Sequence, residues 1–134
     1  MIVDTNVVLD VLLGREPFLK PAVAVFCLVE ESLIDAFICA TTVTTIDYLL
    51  AKSLPAPKAR NALRRLISLF EIATVNRPVI ERALSSKIPD FEDAVLNEAG
   101  QMAGADFIIT RNVKDFSKSA LKVCDPSNFL SLFG

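Results

Sequence analysis

The chain alternates short apolar runs with longer segments whose apolar residues recur every three or four positions. Residues 1–4 are a run of the first kind and predict a strand. Thr5 is then placed to cap a helix with Val8, Leu9, Leu12 and Leu13 at helical spacing, and residues 14–17 end it. Pro21 opens a second, almost wholly apolar helix over residues 22–32. Residues 34–40 predict strand two, and Thr41 and Thr42 lead into a helix over 43–52. Pro55 and Pro57 punctuate the connection to an amphipathic helix over 58–70, with Leu63, Leu66, Ile67 and Phe70 on one face. Residues 71–75 are strand three, and Pro78 stands at the start of a helix over 79–86. Pro89 and Asp90 open a helix that runs to Ala103 and stops at Gly104. Residues 107–110 and 121–124 are strands four and five, and Pro126 begins a last helix that reaches Phe133.

Strands that alternate with helices predict a parallel sheet covered on both faces. The expected fold is a three-layer α/β/α sandwich of about four to five strands, in one domain spanning residues 1–134. Right-handed crossovers place the carboxyl ends of all strands on one edge, where such sheets bind their ligands.

Acids gather at that edge. Asp4 closes strand one, in a position that also suits a helix cap. Asp47 lies early in the helix after strand two, among Ile46, Tyr48, Leu49 and Leu50. Asp90 and Asp93, three apart, share one face at the start of their helix; Asp90 suits the cap and Asp93 the inward position, while Glu92 is expected to point to solvent. Thr110, Asn112 and Asp115 follow strand four. Asp106 begins that strand, at the opposite edge, and reads as structural; Asp10, Asp35 and Asp125 read as ordinary boundary or surface acids. Carboxylates brought together from distant positions repel one another and raise one another's pKa. A divalent cation removes that conflict, and an all-oxygen set favours Mg²⁺ or Mn²⁺ over zinc.

Composition narrows the chemistry further. There is no histidine, so imidazole bases and ligands are excluded. The net charge of −2 excludes a general polyanion binder. Arg111, Lys114 and Lys118 nonetheless sit beside the proposed edge and are candidates for phosphate contact; the basic stretch Lys58, Arg60, Arg64 and Arg65 reads equally as a solvated helix face. Cys27, Cys39 and Cys124 have no paired spacing and are expected to be small buried hydrophobes in a reducing compartment. The apolar runs stop short of the ~18 residues of a membrane span, and no cationic segment precedes an apolar one. The expectation is a cytoplasmic protein, whose 52 % apolar content predicts a dimer or partner interface.

These residues resemble the PIN domain, a family of metal-dependent nucleases that includes many toxins of bacterial and archaeal toxin–antitoxin pairs. Val3-Asp4-Thr5-Asn6 is similar to its opening motif. The stretch from Thr42 through Asp47 is similar to its second-acid motif, where relatives usually carry Glu. Asp90-Phe-Glu-Asp93-Ala and Thr110-Arg-Asn112-Val-Lys-Asp115-Phe are similar to the third and fourth. Residues 13–18 and the Asp-Phe-Glu-Asp motif look most like one subfamily. The resemblance implies that Asp4, Asp47, Asp93 and Asp115 are the catalytic acids, and that Asp4, Asp93, Asp115 and Asn112 hold the metal. Asn6, Thr110 and Asp90 support them, and Asn112 stands where many relatives carry another Asp. It further implies hydrolysis of RNA phosphodiesters, an antitoxin partner and a homodimer. The alternative from another class is a PIN-like module that binds RNA or protein with weakened catalysis. A phosphatase with an aspartyl nucleophile wants an acid two residues after Asp4, where Asn6 stands. A receiver domain wants an Asp after strand three, and residues 71–76 offer none.

Overall fold

The computed structural model describes residues 1–133. In chain order the elements are β1 (Ile2–Val3), α1 (Thr5–Leu12), α2 (Leu19–Glu30), β2 (Phe37–Cys39), α3 (Ala40–Leu50), α4 (Ala56–Leu69), β3 (Glu71–Ala73), α5 (Arg77–Leu84), α6 (Phe91–Met102), β4 (Phe107–Ile109), a short 3₁₀ turn (Val113–Phe116), β5 (Lys122–Cys124) and α7 (Pro126–Ser131). All strand pairings are parallel, in the order β3-β2-β1-β4-β5. The expected three-layer α/β/α fold is therefore present, with five strands.

Strand alternation divides the core. Val3, Ile38 and Ile109 pair side by side and face one layer, packed with Val7, Val8, Val25, Ile46, Leu50, Leu66 and Phe129. Their neighbours Ile2 and Ile108 face the other layer, against Val79, Ala83, Val95 and Ala99 of α5 and α6. Helix α6 lies directly on β1: a Cβ built on Gly100 would stand 2.9 Å from Ile2 Cγ2. Only a hydrogen side chain permits that approach.

Several boundaries differ from the sequence expectation for local reasons. The strands are two or three residues long, because the flanking residues already belong to caps and turns. Helix α2 starts at Leu19, with Pro21 inside its first turn, where a missing N–H costs nothing. Helix α4 likewise takes in Pro57 near its start. Asp4, not Thr5, caps α1. On α4, Ile67 stays 47 % exposed, because the buried stripe runs through Ala59 and Leu66. Cys39 is buried and Cys124 half-buried, but Cys27 is exposed, since the inward face of α2 is Ala22, Val25 and Val29.

Candidate functional site

Strand β1 lies at the centre of the sheet, and its boundary with β4 is where the strand order reverses. Asp4 leaves β1 at that point with only 7 % of its surface exposed. The Thr5 amide donates to its Oδ1 at 2.8 Å, and the buried Thr110 hydroxyl donates to its Oδ2 at 2.7 Å. Thr110 extends from β4, and its Oγ1 also accepts the Asn112 amide at 3.0 Å. Asn6 crosses between them: its amide nitrogen reaches Asp4 Oδ2 and Thr110 Oγ1 at 3.4 Å, and its Oδ1 accepts the Arg111 amide at 3.3 Å. The ends of β1 and β4 are thus tied by side chains as well as by the ladder.

Helix α6 delivers the next acids because it runs antiparallel to the strands. Asp90 is its cap, with Oδ1 accepting the Asp93 amide at 2.9 Å. The cap sets the first turn so that Glu92 and Asp93 both reach the cleft. Glu92 is exposed, as expected, and from the rim of the cleft its Oε1 accepts a hydrogen bond from the Thr45 hydroxyl on α3 at 3.2 Å. Asp115 comes from the 3₁₀ turn, which is anchored by Phe116, 1 % exposed in the lower core. Together Asp4, Asn6, Asp90, Asp93, Asn112 and Asp115 line an open cleft of about 410 Å³, with Glu92, Arg15 and Arg111 on its walls.

The electrostatic consequence is large. Asp93 is pushed from 3.8 to about 7, first by burial and then by the charges of Asp4, Asp90, Asp115 and Glu92. Asp4 is also raised, by burial above all; the Thr110 and Thr5 hydrogen bonds pull it back, and Glu92 and Asp115 add to the rise. Acids held together by caps and strand ends against their own repulsion have perturbed pKa values of the kind that gather at functional sites.

Asp47 is not brought into this cleft. On α3 the buried stripe is Thr42, Ile46 and Leu50, and Thr45 faces Glu92. Asp47 stands two residues on, about 200° around the helix from Thr45. Lys114 and Lys118 are exposed and lie outside the lining. Lys58, Arg60, Arg64 and Arg65 are exposed along α4.

Sequence reasoning missed Asp10 and Arg15. Asp10 has no exposed surface. Arg15 Nε donates to its Oδ1 at 2.9 Å, and Arg111 donates from Nε to Oδ2 at 2.7 Å and from Nη2 to Oδ1 at 3.3 Å. The only sequence signal was an acid inside the apolar stretch 7–13.

Among the described residues no three of the acids converge tightly enough to enclose a metal ion by themselves. The donor set still fits a hard divalent cation. It is all oxygen, burial and neighbouring charge raise two of its carboxylates, and such ions are commonly held by one or two carboxylates with water.

A parallel sheet in this strand order, with carboxylates gathered at the ends of its central strands, defines an α/β domain whose ligand site lies at the topological switch point. The family model described as PIN domain matches residues 1–114, and the chain belongs to that family. Asp115 falls one residue beyond the matched segment. Solved structures agree over nearly the whole chain. A toxin–antitoxin complex from Klebsiella pneumoniae is 25% identical with a TM-score of 0.71, covering 93% of this chain and 96% of that one. FitAcB from Neisseria gonorrhoeae is 22% identical with a TM-score of 0.70, covering 94% and 97%. VapBC2 from Rickettsia felis, bound to a DNA fragment from its promoter, is 15% identical with a TM-score of 0.69, covering 92% and 96%. No curated protein sequence matches the chain.

Proposed function

We propose that the chain is a metal-dependent endoribonuclease acting as the toxin of a toxin–antitoxin pair. The observation that carries this is the gathering of carboxylates at the cleft, where Asp93 is lifted to about 7 by burial first and then by its acidic neighbours. Asp4, fixed by Thr110 and the Thr5 amide, would hold Mg²⁺ or Mn²⁺ with Asp93 and Asp115, one or two of these directly and the rest through bound water, and Asn112 would add its amide oxygen. Bound there, the ion supplies positive charge against a phosphate and lowers the pKa of a water. With the ion bound, Asp93 would stand ionised beside it, placed to orient the attacking water. In-line attack on phosphorus with release of the 3′ oxygen leaves a 5′-phosphate. Arg111 is the cation of the original trio that stands in the cleft; Lys114 and Lys118 would meet RNA further out.

The toxin assignment draws on the Klebsiella complex, whose fold covers this chain. Leu33, Tyr48, Leu84 and Leu132 are exposed by 62%, 65%, 70% and 63%. Apolar surface of this kind suits an antitoxin or a second copy in a homodimer. Three free thiols suit the cytoplasm, and no helix of the described residues is long and apolar enough to cross a membrane.

The test is cleavage of a structured RNA with Mn²⁺, with EDTA, and with Asp4→Asn. We expect Mn²⁺-dependent products with 5′-phosphate ends, lost in EDTA and in the variant. Cleavage by Asp4→Asn at the wild-type rate would sink the assignment. The position of Asp47 outside the cleft favours the second reading, a binding module with weakened catalysis. RNA binding without cleavage at any Mn²⁺ concentration would establish that reading instead.

A further inference from the structure

Two guanidinium groups form the cationic wall of the acidic cleft. Arg15 and Arg111 make ion pairs with Asp10 and, among the described residues, with no acid of the cleft. One arginine is enough to neutralise a buried carboxylate. The second leaves a net positive charge, fixed in place and facing the site. Arg15 spends Nε on Asp10 and Nη2 on the Asn6 carbonyl, and Arg111 spends Nε and Nη2 on Asp10. In each, Nη1 makes no hydrogen bond among the described residues. The side chains remain 38% and 26% exposed, and both line the cleft.

Arg111 also has a second neighbourhood. Its guanidinium lies 3.9 Å from the centroid of the Phe18 ring, and Phe18 keeps 39% of its surface exposed. Beyond that ring opens a depression of about 470 Å³, lined mainly by Pro17, Phe18, Pro21 and Pro126, with Asp125 and Ser127 at its edge and Arg111 itself as its boundary. Arg111 therefore belongs to both the acidic cleft and an apolar hollow beside it. A phosphate joined to a flat apolar base has this same polarity over this same short step. Guanidinium groups bind phosphate oxygens with geometric specificity, and apolar and aromatic side chains stack bases without demanding a sequence.

We propose that this boundary is a subsite for one nucleotide flanking the scissile phosphodiester of single-stranded RNA, its phosphate on Nη1 of Arg15 and Arg111 and its base against Phe18. The assignment deepens the nuclease reading and rests on it for the identity of the substrate. Asp10 is here a positioning residue, which aims the two arginines from beneath.

The experiment measures binding, not cleavage, so the two proposals fail separately. Protein carrying Asp93→Asn, in EDTA, is titrated against a fluorescein-labelled oligouridylate and an abasic oligomer of the same length. Phe18→Ala is expected to weaken the uridylate by about tenfold and leave the abasic oligomer within twofold. Arg111→Gln is expected to weaken both by about tenfold. Because that variant leaves Asp10 with a single partner, the pair Asp10→Asn/Arg111→Gln is measured as well, with thermal melting to check folding. Equal effects of Phe18→Ala on the two oligomers would overturn the base contact. Unchanged affinity in the folded arginine variants would overturn the phosphate contact, and so would absence of binding by the parent protein. Loss of antitoxin binding in Phe18→Ala with RNA affinity intact would assign the hollow to a protein partner and overturn the proposal. Absence of cleavage by the wild-type protein with these binding differences preserved would strike the nuclease assignment and leave Arg15, Arg111 and Phe18 as a nucleotide-binding site.

Discussion

Replacing Asp93 by asparagine is expected to stabilise the metal-free protein at pH 8, although the residue lies at the centre of the proposed site. Raising the carboxyl from 3.8 to about 7 corresponds to at most about 4 kcal/mol of electrostatic cost once the group is ionised. The side chain is half-exposed, so solvent screening reduces this to about 1–2 kcal/mol. Asparagine forfeits the favourable charge in the first turn of α6, roughly 0.5 kcal/mol. The net gain is about 1 kcal/mol, or about 3–5 °C in melting temperature for a domain of this size. The sign follows from linkage. A carboxyl whose folded pKa lies above its unfolded value destabilises the fold above about pH 7, and the penalty fades as pH falls from about 7 toward 4.

Thermal melting of wild type and Asp93→Asn with EDTA, at pH 8 and pH 5, tests this directly. The variant should melt higher at pH 8 and no higher at pH 5. Saturating Mn²⁺ at pH 8 should reverse the order, because only the wild type gains the ion. A variant that melts lower than wild type at pH 8 in EDTA would refute the repulsion argument, as would a difference that does not change with pH.

Two further outcomes follow from positions the sequence did not settle. Glu92 helps to raise both Asp4 and Asp93, so Glu92→Gln should weaken Mn²⁺ binding several-fold in calorimetric titration, while Asp47→Asn should change it less than twofold. A stronger effect at Asp47 would restore it to the site. Gly100→Val forces a branched side chain into the 2.9 Å approach to Ile2. It should cost about 2–3 kcal/mol of overpacking in urea unfolding, and a neutral result would show that α6 can lift from β1 freely.

The parts of the site that were legible in the sequence are those fixed by the ends of regular elements. Asp4 closes a strand, Thr110 follows one, and Asp90 starts a helix, so the fold class alone carried them to one edge. Asp93 followed from Asp90 through helical spacing. Asp47 was placed by its apolar neighbours, but Tyr48 is 65% exposed and only Ile46 and Leu50 of that set are fully buried. Helical phase, set by Thr42, Ile46 and Leu50, turns Asp47 away. Glu92 is exposed, as its helical position suggested, but its contact with Thr45, 47 residues earlier, left no local trace. Asp10 was missed for the same reason: Arg111 is 101 residues away, and the one local signal, its place inside the apolar stretch 7–13, does not reveal the pair.

The acids of the cleft are held by groups that also have structural duties. Asp4 caps α1, Asp90 caps α6, and the Thr110 hydroxyl that binds Asp4 also receives the Asn112 amide. Each cap stabilises its helix by about 1 kcal/mol and in doing so holds a negative charge near the others. Helix capping therefore offsets part of the burial and repulsion that raise Asp93, and the rest is a standing cost of the metal-free state. Any cation that binds only the folded cleft removes that cost. At a hundred times its dissociation constant it adds about 2.7 kcal/mol to stability, comparable to the penalty it relieves. The proposed metal binding and stability run through the same carboxylates, so a change that makes the metal-free protein more stable at these positions is expected to weaken Mn²⁺ binding.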